Sequence, residues 1–316
     1  MRRNYGIVRW GSLAILCLCV ASSYVFAQVE GDVKKSFKVG QGGLLTIESD
    51  IGSIEVQAAG GDRVDVEVRF EPRRGNRNRF KEILEDFNLD FKQDGNDVTV
   101  KFEYDRDHWD FWNSVGRYMQ VRFFVKVPQK YNVGLQTSGG SISVDDLEGE
   151  VQSKTSGGSL EFGHIVGPVR GRTSGGSIRL DGCDGSADVH TSGGSITIGS
   201  VKGNVVARTS GGGIHVDEVM GSIDARTSGG SVTARISRQP EDDCRLTTSG
   251  GSVTVTLAKD IRVDVDASTS GGRVSTDFPV TLRGEISKRS LRAKINGGGP
   301  ELYLRTSGGS INIREM

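Results

Sequence analysis

The sequence predicts an all-β fold: a parallel β-solenoid, right-handed by the usual crossover rule, built from coils of about 18 residues. An N-terminal β-rich cap carrying one short helix closes one end. Three observations predict it. Thr-Ser-Gly-Gly recurs at Thr137, Thr155, Thr173, Thr191, Thr209, Thr227, Thr248, Thr269 and Thr306, first at spacings of 18, then of 21, with a last gap of 37. Apolar residues alternate between the copies with the period of a strand, as in Ile142 and Val144, Ile178 and Leu180, Ile196 and Ile198. Gly supplies 45 of the 316 residues against only 6 Pro, and the Gly residues fall at fixed places in the repeat. A strand of three or four residues cannot bury a face alone. Stacking each copy on the next pairs its backbone above and below and places identical apolar positions in ladders.

Residues 1–27 read as a secretory signal. Arg2, Arg3 and Arg9 give a positive start, Leu13 to Val20 an apolar stretch, and Val25-Phe26-Ala27 a cleavage site before Gln28. Without them 37 basic residues face 40 acidic ones. Export is expected, to the periplasm or the cell surface, with no transmembrane segment after cleavage.

Residues 28–136 form the cap. Phe37 to Ile47 begin a β pattern, and Ser53-Ile54-Glu55-Val56 looks like half a coil. Val64 to Phe70 and Val98 to Phe102 alternate as strands, with Asp94-Gly95-Asn96 as the turn before the second. Phe80, Ile83, Leu84 and Phe87 fall at helix spacing, which predicts a helix over about 79–87. Met119 to Val127 is another strand, ended by Pro128.

Residues 137–316 form the solenoid, with irregular C-terminal coils. Corners are expected at the Gly pairs: Gly139 and Gly140, Gly157 and Gly158, Gly175 and Gly176, Gly193 and Gly194, Gly229 and Gly230. Each needs positive φ or close approach of backbones. Further corners eight residues after the Thr, and at the Gly twelve after it, suggest a three-sided coil. Parity points the repeated Thr inward, where its hydroxyl can bond a corner backbone group or the next Thr. Cys183 and Cys244 fall on different ladders three coils apart, too far for a disulfide. Phe278 to Ile295 break the rhythm and Leu302 to Ile313 resume it.

The Gly52-Ser53-Ile54-Glu55-Val56 segment, the Val127-Pro128 entry, the Thr-Ser-Gly-Gly-Ser-Ile series and the closing Ile295-Asn296-Gly297-Gly298-Gly299 together resemble the bacterial "putative adhesin" or toastrack family over about 36–316. The resemblance implies an exported β-solenoid at the cell envelope. It implies no enzyme and supplies no catalytic motif.

Composition excludes several classes. Near-neutral charge and a hydrophobic fraction of 35% argue against disorder. The absence of a basic excess argues against nucleic acid. The Gly corners lack the Lys of a phosphate loop, and Ser and Ile stand where a calcium-binding repeat needs Asp. No cofactor and no metal are expected. Parity directs Lys154, Arg172, Arg208 and Arg226 outward, with Gln136 and His190 in the same column, as a basic stripe that either meets anionic glycan, lipopolysaccharide or phospholipid headgroups or is a solvated strand face that discourages aggregation. Beside it run Gln152, Arg170, Asp188, Val206 and Asp224, which partly neutralise it. Trp109 and Trp112, in the Tyr104–Trp112 segment with His108, form a candidate stacking platform. The expected function is a non-catalytic adhesin or scaffold contacting an envelope glycan or protein. The alternatives are a polysaccharide-active β-helix enzyme, for which outward Asp145, Asp181 and Asp217 stand on alternate coils, and a periplasmic component of envelope-stress sensing.

Overall fold

The structure is a computed structural model and describes residues 32–72, 80, 83–104, 119–283 and 287–316. Its strands gather into two long sheets that face each other across one core.

The regular coil explains the rest. A short strand in the second sheet, such as β13 (Val169–Arg172), enters the Thr-Ser-Gly-Gly-Ser corner and leaves it as a strand of the first sheet, such as β14 (Ile178–Cys183). The next coil repeats this with β15 (Ala187–His190) and β16 (Ile196–Val201). Pairing is parallel and falls at the sequence period: Val169 opposite Ala187, Ile178 opposite Ile196, Cys183 opposite Val201. Alternation buries every second side chain, so each rung contributes a few apolar groups to ladders that run the length of the rod. Phe162 takes more than its share of the interior. Its ring is accommodated by Gly171, where a Cβ would stand 3.1 Å from it.

The same scheme covers β8 (Asn132–Thr137) with β9 (Ile142–Val144) and β10 (Leu147–Glu148). It continues through β11 (Val151–Lys154) with β12 (Leu160–Val166), β17 (Val205–Arg208) with β18 (Ile214–Val219), β19 (Ile223–Arg226) with β20 (Val232–Ile236), and β21 (Cys244–Thr247) with β22 (Val253–Leu257).

The expected three-sided coil is corrected to two sheets. The corner eight residues after the Thr separates β9 from β10 in the Thr137 coil and is a bend within the first sheet's strands in the coils that follow. Leu180 and Cys183 both point inward although they are three residues apart, so alternation breaks there without ending the pairing.

Regular stacking crosses residue 137 toward the N-terminus. β2 (Leu44–Ser49) and β3 (Ser53–Ala59) make a full coil: Leu45 pairs with Val133, Ile47 with Leu135, and Ile54 with Ile142. Ser49 occupies the Thr position of this coil and is buried like the repeated Thr. Before it stacks a wider rung, β6 (Asp97–Tyr104) and β7 (Met119–Pro128). Antiparallel strands then close the end: β4 (Arg63–Pro72) and β1 (Val33–Lys38) on the first sheet, β5 (Phe87–Asp94) on the second. Phe87, Phe102 and Phe123 fill the cap, the first two stacked with ring centroids 4.4 Å apart. Of the expected helix, Phe80 and residues 83–85 are helical, with Ile83 and Leu84 buried. The strand already begins at Phe87, and the remaining positions lie outside the described residues.

The other end departs from chain order. The last strands, β27 (Glu301–Thr306) and β28 (Ile311–Glu315), do not form the terminal rung. They lie between β21 and β22 on one side and β23 (Val263–Thr269) and β24 (Val274–Thr276) on the other. Cys244 and Val265 both pair with Leu302, and Val253 and Val274 both pair with Ile311. The chain thus leaves one rung position open, runs on through β25 (Val280–Leu282) and β26 (Ser290–Ile295), reverses at Asn296-Gly297-Gly298, all at positive φ, and fills the gap last. β26 pairs antiparallel with β23 and caps the second sheet.

Candidate functional site

The corners are structural. Each repeated Thr is buried, and its hydroxyl donates to the carbonyl of the second Gly in the neighbouring rung: Thr173 to Gly158, Thr191 to Gly176 and Thr209 to Gly194, each at 2.7 Å. The same oxygen accepts from the second Gly of its own corner, as from Gly176 and Gly194 at 3.4 Å. Of the two partners expected for the Thr, the corner backbone is the one used. Inserted out of chain order, Thr306 bonds Gly251 and Thr269 bonds Gly309, so the ladder follows the stacking and not the sequence. The second Gly is required by close approach: a Cβ on Gly158 would stand 2.1 Å from the Gly140 carbonyl oxygen. These corner glycines are not among the residues at positive φ.

Cys183 and Cys244 are buried free thiols on different sheets. Burial pushes the Cys244 thiol up to about 11 and raises that of Cys183. Among the described residues no three His, Cys, Asp or Glu side chains gather as a metal site, and no helix is long and apolar enough to cross a membrane. His164, His190 and His215 each face one Asp, namely Asp184, Asp188 and Asp217.

The column expected on the second sheet is in register. Lys154 pairs with Arg172, Arg172 with His190, His190 with Arg208 and Arg208 with Arg226, all outward. Successive members of the column therefore stand one strand spacing, about 4.8 Å, apart. The neighbouring column sorts them. Asp224 accepts from Arg226 at 2.6 Å and from Arg208 at 3.0 Å. Burial works against its charge, but these two hydrogen bonds outweigh it and hold the carboxyl below the usual range. Asp188 is held by His190 at 2.6 Å and reaches Arg172 only at 3.8 Å. Arg170 lies 3.7 Å from Glu150, and Lys154 lies within 4.0 Å of no described carboxylate. Trp109 and Trp112, with His108, lie outside the described residues.

The column continues beyond Arg226 in a way the sequence does not disclose. Next to it stand Thr247 and then Arg305. In the adjacent column Asp224 is followed by Arg245, Tyr303 and Asp266. Only the inserted rung brings Tyr303 and Arg305 here. A search at a fixed period misses them because they are separated from Arg245 by two further strand pairs of chain.

Two shallow grooves mark the ends of the rod. One, about 340 Å³, is lined by Glu55, Glu67, Phe124 and Lys126. The other, about 410 Å³, is lined by Asp264, Asp266, Arg283 and Arg292.

No curated protein matches the chain. Among solved structures it is similar to a putative adhesin from Bacteroides fragilis (10% identity, 92% of this chain and 99% of that one, TM-score 0.39). It is also similar to a putative lipid binding protein from Parabacteroides distasonis (12%, 90% and 96%, TM-score 0.36) and a putative adhesin from Parabacteroides merdae (10%, 90% and 96%, TM-score 0.32). The family comparison is decisive: residues 43–314, which span the solenoid and most of its cap, match Toastrack DUF4097, and the chain belongs to that family.

Proposed function

We propose that the protein is a non-catalytic, exported envelope rod of adhesin or scaffold type, and that the outer face of its second sheet contacts an anionic envelope glycan or protein. One observation carries this reading. Lys154, Arg172, Arg208 and Arg226 stand on successive or alternate rungs of one sheet face, with Arg208 and Arg226 braced by Asp224. A fixed array of cations loses little conformational freedom on meeting a repeating anion, and such a field gathers the partner from solution. The short coils support the non-catalytic part, because corners of this length build no deep cleft over the rod.

Screening the protein without residues 1–27 on acidic and neutral envelope glycans tests it. Binding to acidic glycans without turnover, weakened by salt and by joint replacement of Lys154, Arg172, Arg208 and Arg226 with Gln, is expected. Turnover of any glycan, or binding unchanged in the fourfold variant, contradicts the reading.

A further inference from the structure

We infer that the rung inserted by the C-terminus completes an anion site around Thr247, built by Arg226, Arg245 and Arg305 against the Tyr303 ring, and that its ligand is a phosphate group carried on an envelope polymer. This deepens the reading of the second sheet's outer face and rests on it.

Arg226 and Arg305 flank Thr247 one rung to either side, and Arg245 stands two residues before it on the same strand. Thr247 is the one short side chain between two long cations in this column, and the anion is placed in the notch expected above its hydroxyl. Neither that hydroxyl nor the Tyr303 hydroxyl donates a hydrogen bond to a described residue.

The guanidiniums are held in place before any ligand arrives. Arg245 and Arg305 lie against the Tyr303 ring, 4.4 and 4.1 Å from its centroid. Arg305 also donates to the Asp266 carboxylate at 2.8 Å and to the Asp266 and Leu304 carbonyls. Arg226 is gripped by both oxygens of Asp224.

Charge is in excess here. Arg208 and Arg226 share Asp224, Arg305 and Arg292 share Asp266, and Arg245 lies within 4.0 Å of no described carboxylate. Five guanidiniums thus face Asp224 and Asp266; Asp264 is taken up by Arg283, and Asp243 and Glu301, two residues along the same face from Arg245 and Tyr303, reduce the surplus without cancelling it. A single guanidinium fork fits a carboxylate or a phosphate equally, but donors brought from three neighbouring strands suit the tetrahedrally arranged oxygens of a phosphate better than the two coplanar oxygens of a carboxylate. The same notch lies on the line of the basic column, so a polymer docked on Lys154 and Arg172 runs toward it.

The test measures affinity at low salt for three probes: a glycerol phosphate polymer, polygalacturonate of matched length, and inorganic phosphate. The wild type is expected to prefer the phosphate polymer over the carboxylate polymer. Arg245→Gln should lower affinity for the phosphate polymer at least tenfold, Arg245→Lys should recover only part of it, and Thr247→Val should weaken it severalfold. Unchanged thermal melting of these exposed-site variants shows that folding is intact. Inorganic phosphate binding that is lost in Arg245→Gln places the ligand's phosphate at this notch. Two results overturn the inference: equal or weaker binding of the phosphate polymer relative to polygalacturonate, or Arg245→Gln binding as wild type. If Lys154→Gln with Arg172→Gln still weakens both polymers in the second case, the wider reading of the face stands and only the site fails. Absence of binding to either polymer removes both.

Discussion

Deleting residues 301–316 should do far more damage than removing the end of a repeat protein normally does. In a stack of nearest-neighbour rungs, loss of a terminal rung exposes one new edge and leaves the remainder folded. Here the last residues fill an internal position. Leu302, Leu304, Ile311 and Ile313 are essentially buried. At about 1.5–3 kcal/mol each, their burial contributes roughly 6–12 kcal/mol. That is of the order of the whole stability of a typical domain. The backbone partners lost include Thr248 to Arg305 and Val253 to Ser310 on one side, and Ile311 to Arg273 on the other. β23 and β24 would then face an empty slot one rung wide, about 4.8 Å of missing stack. Hydrogen exchange read by mass spectrometry decides the matter. In the truncated chain amides of 263–276 and 290–295 should lose protection along with those of 244–257, while 151–201 keeps theirs. Leu304→Ala, costing about 2–5 kcal/mol, should loosen β21 and β23 together. If 263–269 stays as protected as in the full chain, or only one neighbour responds to Leu304→Ala, the inserted rung is not what holds this end.

Three further outcomes are expected. Thr191→Val keeps shape but orphans the Gly176 carbonyl and the Gly194 amide, so it should cost about 1–3 kcal/mol in denaturant unfolding with an unchanged slope; a loss under about 0.5 kcal/mol removes the hydroxyl ladder as a stabilising device. In protein lacking residues 1–27, Cys183 and Cys244 should resist maleimide labelling at pH 8 and react once denatured, since burial holds the Cys244 thiol at about 11; rapid native labelling or absent denatured labelling contradicts this. Asp224 has a folded pKa below its unfolded value, so its contribution is present above about pH 4 and fades as pH falls through the folded value. Asp224→Asn should therefore lower the melting temperature at pH 7 and leave a smaller difference at pH 3, and an equal difference at both would show that its charge does not stabilise the rod.

Most of the rod is legible from local pattern. Period-2 alternation put Ile178 and Leu180 inside, and the fixed register of Thr173 and Thr191 gave the corner, because each depends on neighbours at a constant spacing. In sequence, the corner eight residues on reads as a third face. Alternation breaks at Gly182, but whether pairing ends there is decided by the rung above, which a single coil does not contain. The rung order at the C-terminus is invisible for a related reason. Leu302, Leu304 and Ile311 fit the ladder equally well at the end of the stack or inside it. What selects the inside position is the length of the β25–β26 excursion and the reversal at Asn296-Gly297-Gly298. The candidate site shares this blindness: Lys154 and Arg172 follow from parity, whereas Arg245, Tyr303 and Arg305 meet only in three dimensions.

Docking by one face of the rod can be reported directly by a photocrosslinking side chain. Val206 points outward from the middle of the second sheet, and Thr197 points outward at a comparable height on the first. A crosslinker placed singly at each, in otherwise unchanged protein in the producing cell, should trap envelope polymer or protein from position 206 and little from position 197. Equal capture from both faces, or capture from 197 alone, contradicts the assignment of the second sheet as the contact surface.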